Sequence, residues 1–134
     1  MGDPTGERVE FASQAWIEAA GRIAAEIVAG GEFPGAQVTV CEVFHHPPAD
    51  IAEGADPICW TLTVTPEGAR AERGETKDAE LRLEGEYEAA LAGARTIRPA
   101  DVGPPPERGP AAKLSADTRM FFRRLHNRLA EITL

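Results

Sequence analysis

The sequence predicts an α+β fold in which an antiparallel four- to five-stranded sheet is covered on one face by helices. Two observations support this fold class, and the chain length bounds the number of domains. Apolar residues recur with helical spacing near the start of the chain and again near its end. Several short stretches between them alternate apolar with polar residues, which is typical of strands. The 134 residues suit one core, so we expect a single domain, 1–134.

The first helix is predicted within residues 11–30. Its apolar stripe consists of Trp16, Ala20, Ile23 and Ile27. Ser13 can cap this helix because its hydroxyl accepts a hydrogen bond from a free N–H of the first turn. Gly30 and Gly31 supply a residue that tolerates a positive φ where the helix ends. Gly21 costs the helix about 1 kcal/mol relative to Ala, so we expect a neighbouring backbone to pass close to it.

Strands are expected in the middle of the chain. The alternating stretches are residues 37–45, 58–65, 69–74 and 79–83. The turn at residues 66–68 contains Pro and Gly and joins the second and third stretches into a hairpin. Because the last connections are too short for a crossover helix, we expect all four strands to be antiparallel.

Two more helices are predicted on either side of a proline-rich segment. Residues 86–93 have acidic side chains at a helix start and a Gly at its stop. Residues 98–110 contain five prolines and two glycines, which predicts a linker or a strap on the surface. Residues 115–133 predict a terminal helix. Its stripe consists of Thr118, Phe121, Phe122, Leu125, Leu129 and Ile132.

Composition excludes several classes of protein. The net charge of -8 opposes nucleic-acid binding, in which basic surface supplies most of the affinity. No apolar run approaches the ~20 residues of a membrane-spanning helix. Only two cysteines are present, and residues 1–8 do not have the pattern of a signal peptide. We therefore expect a cytoplasmic protein.

The succession of segments from Ile58 to Leu91 adds a more specific indication. It reads ICWTLTVTPEGARAERG, then ETKDAELRLEG, then EYEAALAG. This order of an apolar strand, a Gly turn, a strand of small and charged residues, an acidic-apolar strand and a short helix resembles the sterol carrier protein 2 (SCP2-like) lipid-binding family. The resemblance implies a five-stranded sheet, helices over one face, and an apolar tunnel between them that holds a sterol, fatty acyl chain or similar lipid without covalent chemistry.

The chain departs from that family pattern after the short helix. The family continues there with a further apolar strand, whereas only Thr96 and Ile97 could pair with the sheet here. This leaves open whether the tunnel closes, or opens toward a partner subunit, a membrane or the terminal helix. The proline-containing loop at residues 46–57 could border an entrance.

Apolar side chains on the sheet and helices are the expected walls of the ligand site. They are Val40, Phe44, Trp60, Leu62, Leu83, Tyr87, Leu91, Phe121, Phe122, Leu125 and Leu129. The same residues can instead fill a core, as apolar side chains at these spacings often do. The predicted function is therefore non-covalent binding or carriage of an apolar lipid. The alternative is a protein-interaction or dimerisation module with a filled core and no small-molecule ligand.

Residues with metal-binding or catalytic chemistry do not form a known pattern. Cys41 and His45 fall on one face of the first strand, Cys59 can lie beside them on the next strand, and His46 follows directly, but their spacing matches no established zinc motif. A reducing cytosol disfavours a disulfide between the two cysteines. His126 lies among arginines, and no phosphate loop or HExxH motif is present. We expect no enzyme activity, cofactor or metal.

The terminal helix carries a basic face. Its members are Arg119, Arg123, Arg124 and Arg128. They could approach anionic lipid headgroups in a peripheral membrane contact. They could also pair with acidic residues of this chain or of a second copy in a homodimer. We favour pairing, because four arginines are few against a net charge of -8.

Overall fold

The fold has one mixed sheet and four helices in the part of the chain that the computed structural model describes, residues 8–32, 37–97 and 116–134. The elements are α1 (Gln14–Ala29), β1 (Val38–His45), α2 (Ala49–Ala52), β2 (Ile58–Thr65), β3 (Gly68–Arg73), β4 (Leu81–Glu86), α3 (Tyr87–Ala94) and α4 (Ala116–Ile132). The predicted α+β class is confirmed. The proline-rich segment predicted at 98–110 lies outside the described residues.

The sheet corrects one prediction. Its strand order is β3-β2-β1-β4, and β2 is antiparallel to both of its neighbours. The fourth strand, however, runs parallel to β1, with Leu81 opposite Val40. The expectation of an entirely antiparallel sheet was therefore wrong for one pair of strands.

The parallel pair is possible because an irregular segment, residues 74–80, crosses the sheet in place of a helix. Seven residues span at most about 23 Å, whereas the outer two of four strands spaced about 4.8 Å apart lie about 14 Å from each other. The Thr61 hydroxyl donates to the Gly74 carbonyl at 2.8 Å, and Glu75 forms an ion pair with Arg82. At its end the Glu80 N–H donates to the Thr39 carbonyl at 3.0 Å. We call the face of the sheet under this segment the outer face.

The opposite, inner face of the sheet meets the helices and forms the core. Strand alternation places the following residues on it: Val38, Val40, Phe44, Ile58, Trp60, Leu62, Val64 and Leu81. Helices α1, α3 and α4 contribute Ile17, Ile23, Tyr87, Phe121 and Leu125, among others. One continuous core therefore joins the helices to one side of the sheet, as the alternation predicted.

Helix α1 lies directly over the edge strand β3, where a glycine permits close packing. A Cβ placed on Gly21 would be only 3.1 Å from both the backbone nitrogen and the Cβ of Ala71. The expected close approach at Gly21 is thus confirmed. The ends of α1 also agree with prediction, because Ser13 Oγ accepts from the Trp16 N–H at 3.2 Å and Gly31 has a φ of 93°.

The two ends of the described chain meet beside α1. Val9 forms a parallel bridge with Thr133, in which the Val9 N–H donates to the Ile132 carbonyl at 2.8 Å. The buried Trp16 Nε1 donates to Thr133 Oγ1 at 3.0 Å. That hydroxyl in turn donates to the Leu129 carbonyl at 2.7 Å, so one threonine satisfies an indole and a helix end.

Two further features bear on the sequence predictions. Thr96 and Ile97 follow α3 without joining the sheet, so the described residues contain four strands and no fifth. The loop predicted at 46–57 contains the short helix α2. Within the described ranges, no helix is long and apolar enough to cross a membrane.

Candidate functional site

The residues predicted to line a ligand site lie together between the sheet and the helices. Seven of them are buried in the core: Val40, Phe44, Trp60, Leu62, Tyr87, Phe121 and Leu125. Three are half-buried at its border: Leu83, Leu91 and Phe122. Leu129 is also buried in the core. The structure thus brings the whole set into one apolar layer.

Aromatic rings fill one end of this layer. The ring of Phe11 lies 4.9 Å from Trp16, 5.0 Å from Phe44 and 5.4 Å from Tyr87, measured between centroids. Trp16 meets Trp60 edge to face at 5.1 Å. These are the distances of packed aromatic pairs, so the space between these five rings is occupied by their own side chains.

A cleft opens at the border of this aromatic cluster. Its volume is about 230 Å³, and it is open to solvent on one side. Its lining comprises Glu10, Phe11, Pro48, Asp50, Ile51, Tyr87, Leu91, Arg95 and Leu134. Two of the predicted ligand-binding residues, Tyr87 and Leu91, therefore line an accessible depression, while the more deeply buried ones do not.

The cleft combines an apolar floor with charged groups at its rim. The Tyr87 hydroxyl donates to the Phe11 carbonyl at 2.8 Å, which fixes the phenol ring in the floor. Burial raises the pKa of Tyr87, and the nearby carboxylates of Glu10 and Asp50 raise this pKa further, opposed by Arg95. Arg95 is held by a hydrogen bond from its Nε to the Leu134 carbonyl at 2.9 Å. The tyrosine therefore stays neutral and serves as an apolar wall.

A second depression of about 300 Å³ lies at the β2–β3 hairpin. Its lining is Thr63, Thr65, Glu67, Gly68, Ala69 and Arg70. Only Ala69 offers an apolar side chain there, apart from the methyl groups of the threonines. This depression has no wall suited to a lipid.

Glu42 is a functional candidate that the sequence analysis missed. It lies on the inner face, opposite Trp60 on β2 and Leu83 on β4. The Trp60 Nε1 donates to Glu42 Oε1 at 2.7 Å. Desolvation by the surrounding protein raises the pKa of Glu42 to about 7, although this hydrogen bond lowers it. A period-two pattern through Val40 and Phe44 also includes Glu42, so the signal was present in the alternation.

The outer face carries the cysteines and histidines that the sequence places near each other. Cys41 and Cys59 are both free thiols, and burial and Glu75 raise the pKa of Cys59, which disfavours a reactive thiolate. His45 Nε2 lies 2.5 Å from a Glu84 carboxylate oxygen, and His46 Nδ1 lies 2.7 Å from Glu86. Among the described residues, no group of three or more His, Cys, Asp or Glu side chains is arranged to hold a metal ion.

Two arginines of the basic face on α4 pair with acidic residues near the start of the chain. Arg124 lies 2.7 Å from the Glu32 carboxylate, and Arg128 lies 2.7 Å from Glu26 on α1. These exposed ion pairs each contribute at most about 1 kcal/mol. These pairs neutralise part of the positive charge that would attract anionic lipid headgroups in a membrane contact.

Comparison with known proteins gives no match to a family model, a curated protein or a solved structure.

Proposed function

We propose that this protein binds an apolar molecule non-covalently, and that an apolar end of this ligand lies in the cleft beside Tyr87 and Leu91. The observation that carries the proposal is the composition of that cleft, an apolar floor of Phe11, Ile51 and Tyr87 under a charged rim. Ligand pockets typically combine apolar walls with a few polar groups that fix orientation. The proposal involves no covalent step.

The size of the cleft limits the ligand. Its volume of about 230 Å³ is below the range of about 300–1,000 Å³ that is usual for pockets that enclose a drug-sized ligand. A short acyl chain, or one end of a longer one, suits this volume better than a whole sterol. Burial of each CH₂ group contributes about 0.8 kcal/mol, so a micromolar dissociation constant requires burial of about ten carbons.

The first test introduces glutamine at two positions, one that lines the cleft and one that is exposed outside it. In Leu91→Gln an amide replaces an apolar wall of the cleft, and we expect the affinity for a fluorescent acyl probe to fall about fivefold or more. The matched control is Met120→Gln on α4, where the parent side chain is 52% exposed and lies outside the cleft. The control should bind the probe like the parent protein, and circular dichroism should show both variants folded.

Two results would reject the proposal. One is equal probe affinity in Leu91→Gln and the parent. The other is an unmodified protein that yields no lipid on native extraction and mass spectrometry and also does not bind the probe.

The packing of the aromatic cluster favours a second candidate, a protein-interaction or dimerisation module without a small-molecule ligand. The rings of this cluster pack against one another and leave no space for a ligand between them. They belong to Phe11, Trp16, Phe44, Trp60 and Tyr87. This candidate predicts a stable oligomer and no bound lipid, so the presence or absence of lipid in the same extraction separates the two functions, whatever the oligomeric state.

A further inference from the structure

The fourth strand forms one edge of the sheet. It pairs with β1 on one side, and on its other side it pairs with no strand among residues 8–32, 37–97 and 116–134. An edge strand presents a row of backbone N–H and C=O groups that another strand can use. On the outer face of this strand, the side chains of Arg82 and Glu84 are 42% and 49% exposed, although Arg82 also pairs with Glu75 and Glu84 with His45 within the chain.

The charges of β4 are complementary to a second copy of the same strand in one register. If two copies pair antiparallel with Leu83 opposite Leu83, then Arg82 of each copy faces Glu84 of the other. Two attractive pairs form at once, related by a two-fold axis. The half-buried Leu83 side chains would meet on the inner face and cover one another.

One other pair of charges on the strand opposes this register in part. It brings Glu80 opposite Glu86 of the second copy, and contacts of each carboxylate within its own chain reduce this repulsion. Glu80 accepts from the Thr39 N–H at 2.6 Å, and Glu86 is paired with His46 at 2.7 Å. A shift by two residues in one direction would instead oppose Glu84 to Glu84, which disfavours that register.

The other edge of the sheet is less suited to such pairing. Helix α1 lies over β3 itself, in contact at Gly21 and Ala71. Two copies joined at β3 would bring their α1 helices about 4.8 Å apart, whereas packed helices need about 8–10 Å. Helix α3 contacts both β4 and β1, so it is set back from the β4 edge.

We propose that two copies of this chain form a dimer by antiparallel pairing of their β4 strands about a two-fold axis at Leu83. The occupant of the edge is thus a second copy of the protein, recognised by reciprocal Arg82–Glu84 pairs. This inference is independent of lipid binding at the cleft, which lies beside α2 and α3.

Charge reversal tests the pairing in the full chain. Size-exclusion chromatography with light scattering should show a dimer for the parent protein. Arg82→Glu and Glu84→Arg should each raise the dissociation constant about tenfold or more, because each places like charges opposite one another twice. An equimolar mixture of the two variants should form a heterodimer, and the double variant Arg82→Glu/Glu84→Arg should dimerise like the parent.

A cysteine cross-link tests the register. In a Cys59→Ser background, Leu83→Cys should form an intermolecular disulfide on mild oxidation, since the Cα atoms of directly opposed residues are about 4.5–5.5 Å apart, within the range of about 4.4–6.8 Å that disulfides span. Leu81→Cys is the matched control on the same strand, because it faces Gly85 of the second copy and should not cross-link to itself.

A monomeric parent protein at the highest attainable concentration overturns the inference. A dimer whose dissociation constant is the same in all the charge variants also overturns it. The same holds for a dimer in which Leu81→Cys forms the intermolecular disulfide as efficiently as Leu83→Cys. Circular dichroism of every variant distinguishes loss of pairing from loss of fold.

Discussion

At the residue scale, Glu42 is a carboxyl group on an otherwise apolar face of a strand. Its neighbours across the sheet are Trp60 and Leu83, and its hydrogen-bond donor is the Trp60 indole. A single neutral donor compensates little of the desolvation of a charged carboxylate. The folded protein therefore holds the protonated form of Glu42 to a higher pH than the unfolded chain does.

This difference predicts a defined pH dependence of stability. The pKa of Glu42 is about 7 in the folded protein against 4.5 for an ordinary Glu, so between these values the native state binds more protons than the unfolded state. The contribution of Glu42 to the free energy of unfolding should consequently fall as pH rises from about 4.5 to 7. Glu42→Gln, which keeps an acceptor for Trp60, should be more stable than the parent at pH 8 by about 1–3 kcal/mol.

Urea unfolding of the parent and Glu42→Gln at several pH values measures this effect. The difference between the two proteins should shrink toward pH 4.5, because Glu42 is then protonated in the native state and is neutral like the amide of Gln. Other titrating groups such as Glu84 contribute equally to both proteins and cancel. A difference that does not change between pH 5 and 8 contradicts the assignment.

The same residue shows what the sequence could indicate about the site. Alternation in β1 correctly assigns Val40 and Phe44 to the inner face, and it assigns Glu42 to that face by the same rule. The consequence for the pKa of Glu42 depends on which groups surround it. Those groups come from β2 and β4, and their register is a property of the sheet that no single strand specifies.

At the element scale, local signals predicted element identity well. The Ser13 cap, the β2–β3 hairpin and the alternation of β2 all follow from short stretches of sequence, and all are present. The orientation of β4 does not follow from its own residues. It depends on the path of residues 74–80 across the outer face, which a rule based on loop length alone does not capture.

The contact between α1 and β3 yields a stability prediction. Gly21→Val should destabilise the protein by about 2–3 kcal/mol, because even a Cβ would lie 3.1 Å from the Ala71 backbone and a branched side chain needs more room. The control is Ala25→Val, a half-buried position of the same helix with the same introduced side chain. It should cost less than about 1 kcal/mol in chemical denaturation. Equal losses at the two positions would mean that helix propensity, rather than the contact, sets the cost.

At the scale of the whole molecule, the candidate cleft is assembled from separate parts of the chain. Its lining comes from residues 10–11, from α2 and the residue before it, from α3 and the residue after it, and from Leu134. Tyr87 and Leu91 were predicted as lining because they belong to a recognisable short helix, and the loop at residues 46–57, which contains Ile51, was expected to border an entrance. Phe11 was not predicted, because its place in the cleft depends on contacts between distant segments rather than on any local period.

The contact of Val9 and Trp16 with Thr133, which we call the junction, should stabilise the packing of α1 against α4. Thr133 is 1% exposed and accepts the Trp16 indole N–H at 3.0 Å. Thr133→Val keeps the shape but leaves that buried donor and the Leu129 carbonyl without this partner, so we expect a loss of about 1–3 kcal/mol. Thr133→Ser retains the hydroxyl and should lose less.

Hydrogen exchange tests whether this contact controls a local opening. In Thr133→Val, the amides of Val9 and Leu134, both of which form hydrogen bonds of 2.8 Å across the junction, should exchange before the amides of the sheet. If the Val9 and Leu134 amides lose protection only together with the amides of β1 and β2, then the two ends open only in global unfolding. The Thr133 hydroxyl would then not control a local unfolding unit.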